Sequence, residues 1–354
     1  MDTAAPGRVV RRLGIEKTTA ISTDRNAIRT IMVYVGTDLL GDGLIKLPFL
    51  RALRGAFPQA HITWLAGRGK SVFAGALAPM AAGLIDEVVE QAGIDGNAWL
   101  PIHPRPLPDR RFDLIVDTQR RVRTTLTLRR IRHRVFVSGA LGWLLSDRRP
   151  ASGLRKRPVL ARQLLTLVEA ASGRPPLLEL APLGDDPAMA AEARRRLPDL
   201  PEGRVYIGLA PGASMANKLW PLERFLDLAE RLEAKGFAPA ILLGPNELGW
   251  TESIRGRLPR ALLPLPDGVS PLLTIAVGRR LAAAVTNDSG LGHLLAAASV
   301  PMVTLFGPTP AAKFAPLTPH LEIVRAQDHG GDAMADIPTE AVAAALDRLL
   351  AGLR

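Results

Sequence analysis

The stretch TNDSGLGHLLAAAS (286–299) sets an acid, a hydroxyl, two glycines and a histidine ahead of small apolar residues. A strand end running into a helical pattern makes this a helix mouth. Asp288 or Ser289 is its N-cap, because either side-chain oxygen can accept a first-turn N–H. Free amides and the helix dipole at such a mouth attract an anion, typically phosphate. Gly290 and Gly292 let a ligand approach the backbone closely. His293 follows Ser289 by four residues, which puts both on one helix face. From there it can donate a hydrogen bond to a phosphate oxygen. Asp288 is itself anionic, so it suits sugar hydroxyls or capping.

Three other stretches carry chemistry. In LAPGASMANKLWPLERF (209–225), Ser214 and Lys218 fall in a strand-to-helix loop. Such loops lie at the carboxyl edge of a doubly wound sheet, where ligands bind. Lys218 is a compact point charge suited to a diphosphate. In LLGPNE (242–247), Glu247 opens the next helix, where an acid is favourable in any protein and can also reach a ribose or base. In VGTDLLGDGLIKLP (35–48), Asp42 stands between Gly41 and Gly43 at a helix start. It reads as an N-cap or as a general base facing a cleft, with Asp38 a rival for the second role. Pro48 lacks an N–H and is expected in or near the first turn of that helix.

Some chemistry is excluded. WLAGRGKS (64–71) ends in Gly-Lys-Ser, but Trp64 stands where a phosphate-binding P-loop needs glycine. No G-x-G-x-x-G is present, which disfavours a dinucleotide cofactor. With no cysteine, disulfides, thiolate metal sites and cysteine nucleophiles are ruled out.

These residues need elements to hold them. Short β-branched runs alternate with longer amphipathic ones, beginning with RTIMVYV (29–35) as a strand, the stretch from Gly43 as mostly helix, HITWLA as a strand and KSVFAGALA as a helix. Helices are expected over 187–197, from Pro221, over 247–257, after Ser289 and from Pro338. This alternation implies parallel sheets with helices on both faces. The Pro-, Gly- and acid-rich segment 171–187 breaks it and reads as an interdomain connection. The division expected is a flexible tail (1–27), one Rossmann-like domain (28–175) and a second (176–354). No secretory signal and no apolar run of about 18 residues is visible, so a cytoplasmic protein is expected.

Charge is unevenly placed. The chain of 354 residues has a net charge of +11, and the segment 105–157, with 15 Lys and Arg against 4 Asp and Glu, carries all of it. A local basic face recruits anions such as nucleic acid, lipid head groups or a phosphorylated saccharide. With two tyrosines and nine phenylalanines in the chain, it lacks the interleaved aromatics that stack on bases.

In this order, GDGLIKLPFLRALRGAFPQAHITWL, APGAS…NKLWPLERF, LLGPNE and TNDSGLGHLLAAASVPMVTLFGPT resemble glycosyltransferase family 9, the bacterial heptosyltransferases of lipopolysaccharide core assembly. The resemblance spans roughly residues 30 to 350. It implies an α/β, GT-B fold, with two Rossmann-like doubly wound parallel-sheet domains facing across a cleft. The C-terminal domain would hold a nucleotide-sugar, typically ADP-heptose, and the N-terminal domain an anionic, lipid-linked saccharide acceptor. Transfer would invert the anomeric centre without a metal or other cofactor. The resemblance maps Asp42 to the base, Lys218 and Ser214 to the donor phosphates, and Asp288, Ser289, Gly290 and His293 to an Asp-Thr/Ser-Gly-x-x-His pattern. The basic segment would then draw the acceptor and the cytoplasmic face of the inner membrane, and nucleic acid is not expected. The alternatives are a GT-B transferase with another nucleotide-sugar donor and, from a different class, a non-catalytic arginine-rich anion binder.

Overall fold

Ile31–Val35 and Ile62–Ala66 are buried along their whole length. Strands with water on neither face belong in a parallel sheet covered on both sides by helices. The computed structural model describes residues 27–38, 40–94, 99–100, 102–152, 159–176, 186–265 and 270–352. The expected tail up to residue 26, positions 177–185 of the expected connection and the basic residues 155–157 lie outside the described residues.

The first half runs β1 (Thr30–Val35), α1 (Leu40–Ala56), β2 (His61–Ala66), α2 (Ala78–Ala81), β3 (Glu87–Val89), β4 (Arg111–Asp117), α3 (Val122–Arg129) and β5 (Arg132–Ser138). Its parallel sheet has the order β3-β2-β1-β4-β5. Helix α4 (Leu160–Ser172) then packs on α1. The second half runs α5 (Pro187–Arg196), β6 (Tyr206–Ala210), α6 (Leu222–Ala234), β7 (Ala238–Ile241), α7 (Thr251–Arg257), α8 (Pro271–Gly278) and β8 (Leu281–Asn287). It ends with α9 (Gly290–Ala297), β9 (Met302–Phe306), α10 (Ala311–Phe314), β10 (Leu321–Arg325) and α11 (Thr339–Ala351). Its parallel sheet has the order β10-β9-β8-β6-β7.

Each sheet has one point where the strand order reverses, between β1 and β4 in the first and between β6 and β8 in the second. Loops leaving the carboxyl ends of strands splay apart at such a point and leave a crevice. The β1–α1 turn, the loop after β6 and the mouth of α9 all leave these strands.

Three sequence expectations need correction. Pro48 is not in the first turn of its helix: α1 begins at Leu40 and runs through Pro48 to Ala56. An internal proline loses one backbone hydrogen bond and costs about 3 kcal/mol. Burial of Leu44, Ile45, Leu47, Phe49, Leu50 and Leu53 along the same helix outweighs this. The run KSVFAGALA is not one helix. A short 3-10 turn at Val72–Ala74 precedes α2, and Ser71 caps that turn by accepting from the Phe73 N–H. Pro221 and Pro338 stand one residue earlier than expected, at the N-caps of α6 and α11.

Candidate active site

Ser289 caps α9. Its backbone is extended (φ −144°, ψ 164°), and its Oγ accepts from the Gly292 N–H at 3.2 Å. The N-cap alternative is thereby resolved, and Asp288 is left to do something else. One Asp288 oxygen, Oδ2, accepts from Lys218 Nζ at 2.7 Å and from Thr309 Oγ1 at 2.8 Å. Both partners of the ion pair are largely buried, Lys218 at 14% and Asp288 at 7% side-chain exposure. The pair is therefore poorly screened by water and holds Lys218 at the helix mouth. An ammonium has three N–H groups, so one bond to Asp288 leaves two for a ligand.

Asn287 builds the frame for this pair. Its buried amide donates to Pro211 O at 2.7 Å and accepts from the Trp220 N–H at 3.3 Å, so the loop after β6 is stitched to the end of β8. Ser214 lies exposed in that loop, ahead of Lys218. The sequence motifs passed over Asn287 and Thr309. The signal for both was position: Asn287 ends β8 and Thr309 follows β9, at the edge of the second sheet where ligands bind.

His293 stands half-buried on the first turns of α9. Burial pushes its pKa down to about 4, and the Lys218 charge adds to this while Asp288 opposes it. The ring is therefore neutral at pH 7. It can donate one hydrogen bond and accept another, but it brings no positive charge.

Glu247 stands in a 3-10 turn, Pro245–Trp250, rather than opening α7. It is buried, and the backbone N–H groups of Gly244, Glu247 itself and Ala213 beside its carboxylate favour the charged form. Burial nevertheless pushes its pKa above the ordinary carboxyl range. A Cβ at Gly212 would lie 2.6 Å from the carboxyl carbon, and one at Gly244 would lie 2.5 Å from Oε2. The glycines leave room for an acid that ties the loops after β6 and β7 together.

On the other side of the crevice, Asp42 occupies the first turn of α1, half-buried, with no hydrogen bond or ion pair among the described residues. Asp38, the rival, is consumed. Its Oδ1 accepts from Lys46 Nζ at 3.2 Å, and its Oδ2 accepts from Trp64 Nε1 at 2.9 Å and Ser71 Oγ at 2.6 Å. A buried carboxylate with three donors is poorly placed to take a substrate proton, whereas Asp42 is open for one.

The two sides meet. The Leu40 side chain lies against Gly290, so that a Cβ there would touch Leu40 Cδ2 at 3.8 Å. The start of α1 therefore faces the mouth of α9. Behind them α1 and α9 line a cleft with Leu44, Ile45 and Pro48 on one side, His293 and Ala296 on the other, and Phe314 closing it. Among the described residues, no three His, Asp or Glu side chains are grouped to hold a metal ion.

Residues 103–336, more than half of the chain, match glycosyltransferase family 9 (heptosyltransferase). The matched span opens beyond the β1–α1 turn, so Asp42 lies outside it. Over 148 residues the chain is 32% identical to lipooligosaccharide heptosyltransferase 2 of Haemophilus influenzae, covering 40% of this chain and 43% of that protein. It thus spans under half the length of that relative. Over 304 residues it is 25% identical to lipopolysaccharide heptosyltransferase 1 of Pseudomonas aeruginosa, covering 78% of this chain and 79% of that protein. The solved structure of the E. coli ADP-heptose LPS heptosyltransferase II superposes with a TM-score of 0.64 at 20% identity, over 92% of this chain and 99% of that one. That is a likeness of fold. The two facing parallel-sheet halves are the GT-B arrangement that the sequence resemblance implies.

Proposed function

Because the chain belongs to glycosyltransferase family 9, we propose that it moves a heptose from ADP-heptose onto an anionic saccharide of the lipopolysaccharide core, with inversion. The observation that carries this reading is that the start of α1, whose first turn holds Asp42, faces the mouth of α9, where Lys218 pairs with Asp288. The names of the relatives supply the sugar and the acceptor class.

The donor diphosphate rests at the amides opening α9, with Lys218 and the Ser214 hydroxyl on its oxygens and the neutral His293 ring donating a hydrogen bond. The acceptor hydroxyl gives its proton to the Asp42 carboxylate as its oxygen forms the bond to the anomeric carbon. The bond from that carbon to the phosphate oxygen breaks, and the electron pair leaves with ADP. Negative charge grows on the diphosphate during this step. Lys218 and the helix mouth already face it, and fixed donors aimed at developing charge are typically the largest catalytic contribution. They supply the neutralisation that a divalent ion would otherwise bring, so transfer should persist in EDTA. Asp288, held by Lys218 and Thr309, has a second carboxylate oxygen for a sugar hydroxyl.

The acceptor side is basic and partly greasy. Among the described residues, nine large apolar side chains are exposed, and five of them (Trp99, Ile102, Val122, Leu141 and Leu144) lie at or beside the arginine-rich segment. Arg121, Arg123, Arg132 and Arg134 are exposed within it. Exposed apolar side chains and exposed arginines along one stretch of chain suit an anionic lipid surface, where the acceptor is anchored.

The test is turnover by the purified protein with ADP-heptose and a core acceptor, beside a panel of ADP-, UDP- and GDP-sugars. Thermal stabilisation by ADP-sugars alone supports the reading. Preference for another nucleotide makes the chain a GT-B transferase of different donor. Absence of turnover with every donor, together with nucleic-acid binding at moderate salt, sinks the enzyme.

A further inference from the structure

We propose that the buried Asp38–Lys46 ion pair braces Asp42, making Asp38 and Lys46 positioning residues for the transfer. The proposal rests on the reading of Asp42 as base.

Asp38 and Lys46 bracket Asp42 in the chain. Asp38 precedes α1, and Lys46 follows Asp42 by four residues on the same helix, which sets the two side chains on one face about 5–6 Å apart at Cβ. The ion pair closes this nine-residue segment on itself, with Lys46 at 8% and Asp38 at 0% side-chain exposure. The segment is also fixed from outside. Trp64 on β2 and Ser71 donate to the other Asp38 oxygen, and the Ser71 N–H in turn donates to Glu90 at 2.6 Å. Gly43, beside Asp42, presses on the same support, since a Cβ there would lie 2.5 Å from Val72 Cγ2 and 2.9 Å from Leu77 Cδ1.

Asp42 itself makes no hydrogen bond among the described residues. Its place in the crevice is therefore set through the backbone of the turn that carries it, and the brace holds that turn. Stability alone is a weak reason for a buried ion pair, because a well-packed neutral replacement is often as stable. Holding a base within ångströms of a substrate hydroxyl is a stronger one, since a 1 Å misplacement costs about 10²-fold in rate. The Lys-Ser end of WLAGRGKS also finds its use here, with Ser71 supporting the turn rather than cradling a phosphate.

The experiment uses the full chain with ADP-heptose and acceptor, and compares Lys46→Met, Asp38→Asn, the double variant, Lys46→Arg and Asp42→Asn. In each single charge-removing variant of the pair, kcat is expected to fall roughly 10- to 100-fold. Donor KM should stay within about twofold, because the donor groups are on the other half. The double variant is neutral, so it should recover thermal stability while kcat stays low; a merely structural pair would recover both. Lys46→Arg keeps the charge and should restore most of kcat. If Lys46→Met does not fold, Ser71→Ala removes one of the three donors to Asp38 and should lower kcat by about threefold or more. Wild-type kcat in folded Lys46→Met or Ser71→Ala, or recovery of kcat by the double variant, overturns the brace. Wild-type kcat in Asp42→Asn overturns the base reading and the brace with it. An inactive Asp42→Asn beside an unaffected Lys46→Met overturns the brace alone.

Discussion

Lys218 Nζ lies 2.7 Å from Asp288 Oδ2 across seventy residues of chain, and the pair joins the loop after β6 to the mouth of α9. Removing the ammonium should do two things. Donor kcat/KM should fall about 10²–10³-fold in Lys218→Met, as for loss of one fixed donor to developing charge. Stability should also fall, by up to about 3–5 kcal/mol, because Asp288 would keep a buried charge without its counter-ion. Steady-state kinetics and thermal melts on one preparation check both. Unchanged donor kinetics would leave Lys218 a structural residue.

Asp42→Asn separates chemistry from folding. Asp42 has no side-chain bond to lose among the described residues, so only the helix-dipole interaction of about 0.3–1 kcal/mol is given up. The melting temperature should hardly move, and calorimetry should show donor affinity unchanged. Turnover should drop by about 10²–10⁴.

His293 predicts a pH dependence of stability. Its folded pKa of about 4 lies below the ordinary value of 6.5. Above pH 7 both folded and unfolded rings are neutral. Between about pH 6.5 and 4 only the unfolded chain takes up the proton, so stability falls as pH drops through that window. At 1.36 kcal/mol per pH unit the loss attributable to this ring reaches about 2 kcal/mol by pH 5. His293→Asn should show a shallower fall than the native protein in melts from pH 7 to 5. Parallel curves would refute the burial argument.

Two glycines in one helical turn should respond with opposite sign. A Cβ at Gly41 meets nothing within 4 Å, whereas one at Gly43 runs into Val72 and Leu77. Gly41→Ala should be stabilising by up to about 1 kcal/mol, from helix propensity. Gly43→Ala should be destabilising by about 1–3 kcal/mol, from overpacking. Chemical denaturation of the two variants measures the contrast.

The arginine-rich face predicts salt- and lipid-dependent activity. Binding to vesicles containing anionic lipid should weaken as salt rises, because the Debye length shortens from about 30 Å at 0.01 M to about 8 Å at 0.15 M. Leu141→Ser with Leu144→Ser should weaken it further without changing turnover on a soluble acceptor fragment. Vesicle flotation equal to the native protein at every salt would remove this surface from the account.

Much of this was open to reading in the residues. HITWLA matches β2 residue for residue, the mouth of α9 sits where TNDSG places it, and the alternation of runs implies two parallel sheets. These are local signals of period, capping and apolar runs. Helix α8 is harder to read, because Leu273–Gly278 is buried throughout and offers no polar face to set a period. Pro48 misleads for a related reason: a local rule about its missing N–H meets a burial term spread over the whole helix.

The sequence by itself determined which residue types stand at the carboxyl ends of the strands, since a strand-to-helix turn is written in neighbouring residues. Tertiary structure decided their duties. It paired Asp38 with Lys46 and left Asp42 open, turned Glu247 inward between two glycines, joined Lys218 to Asp288 and brought Thr309 to the same oxygen. Those choices depend on burial and on which charges meet across the fold, and a carboxylate's role follows from the donors around it rather than from its place in the chain.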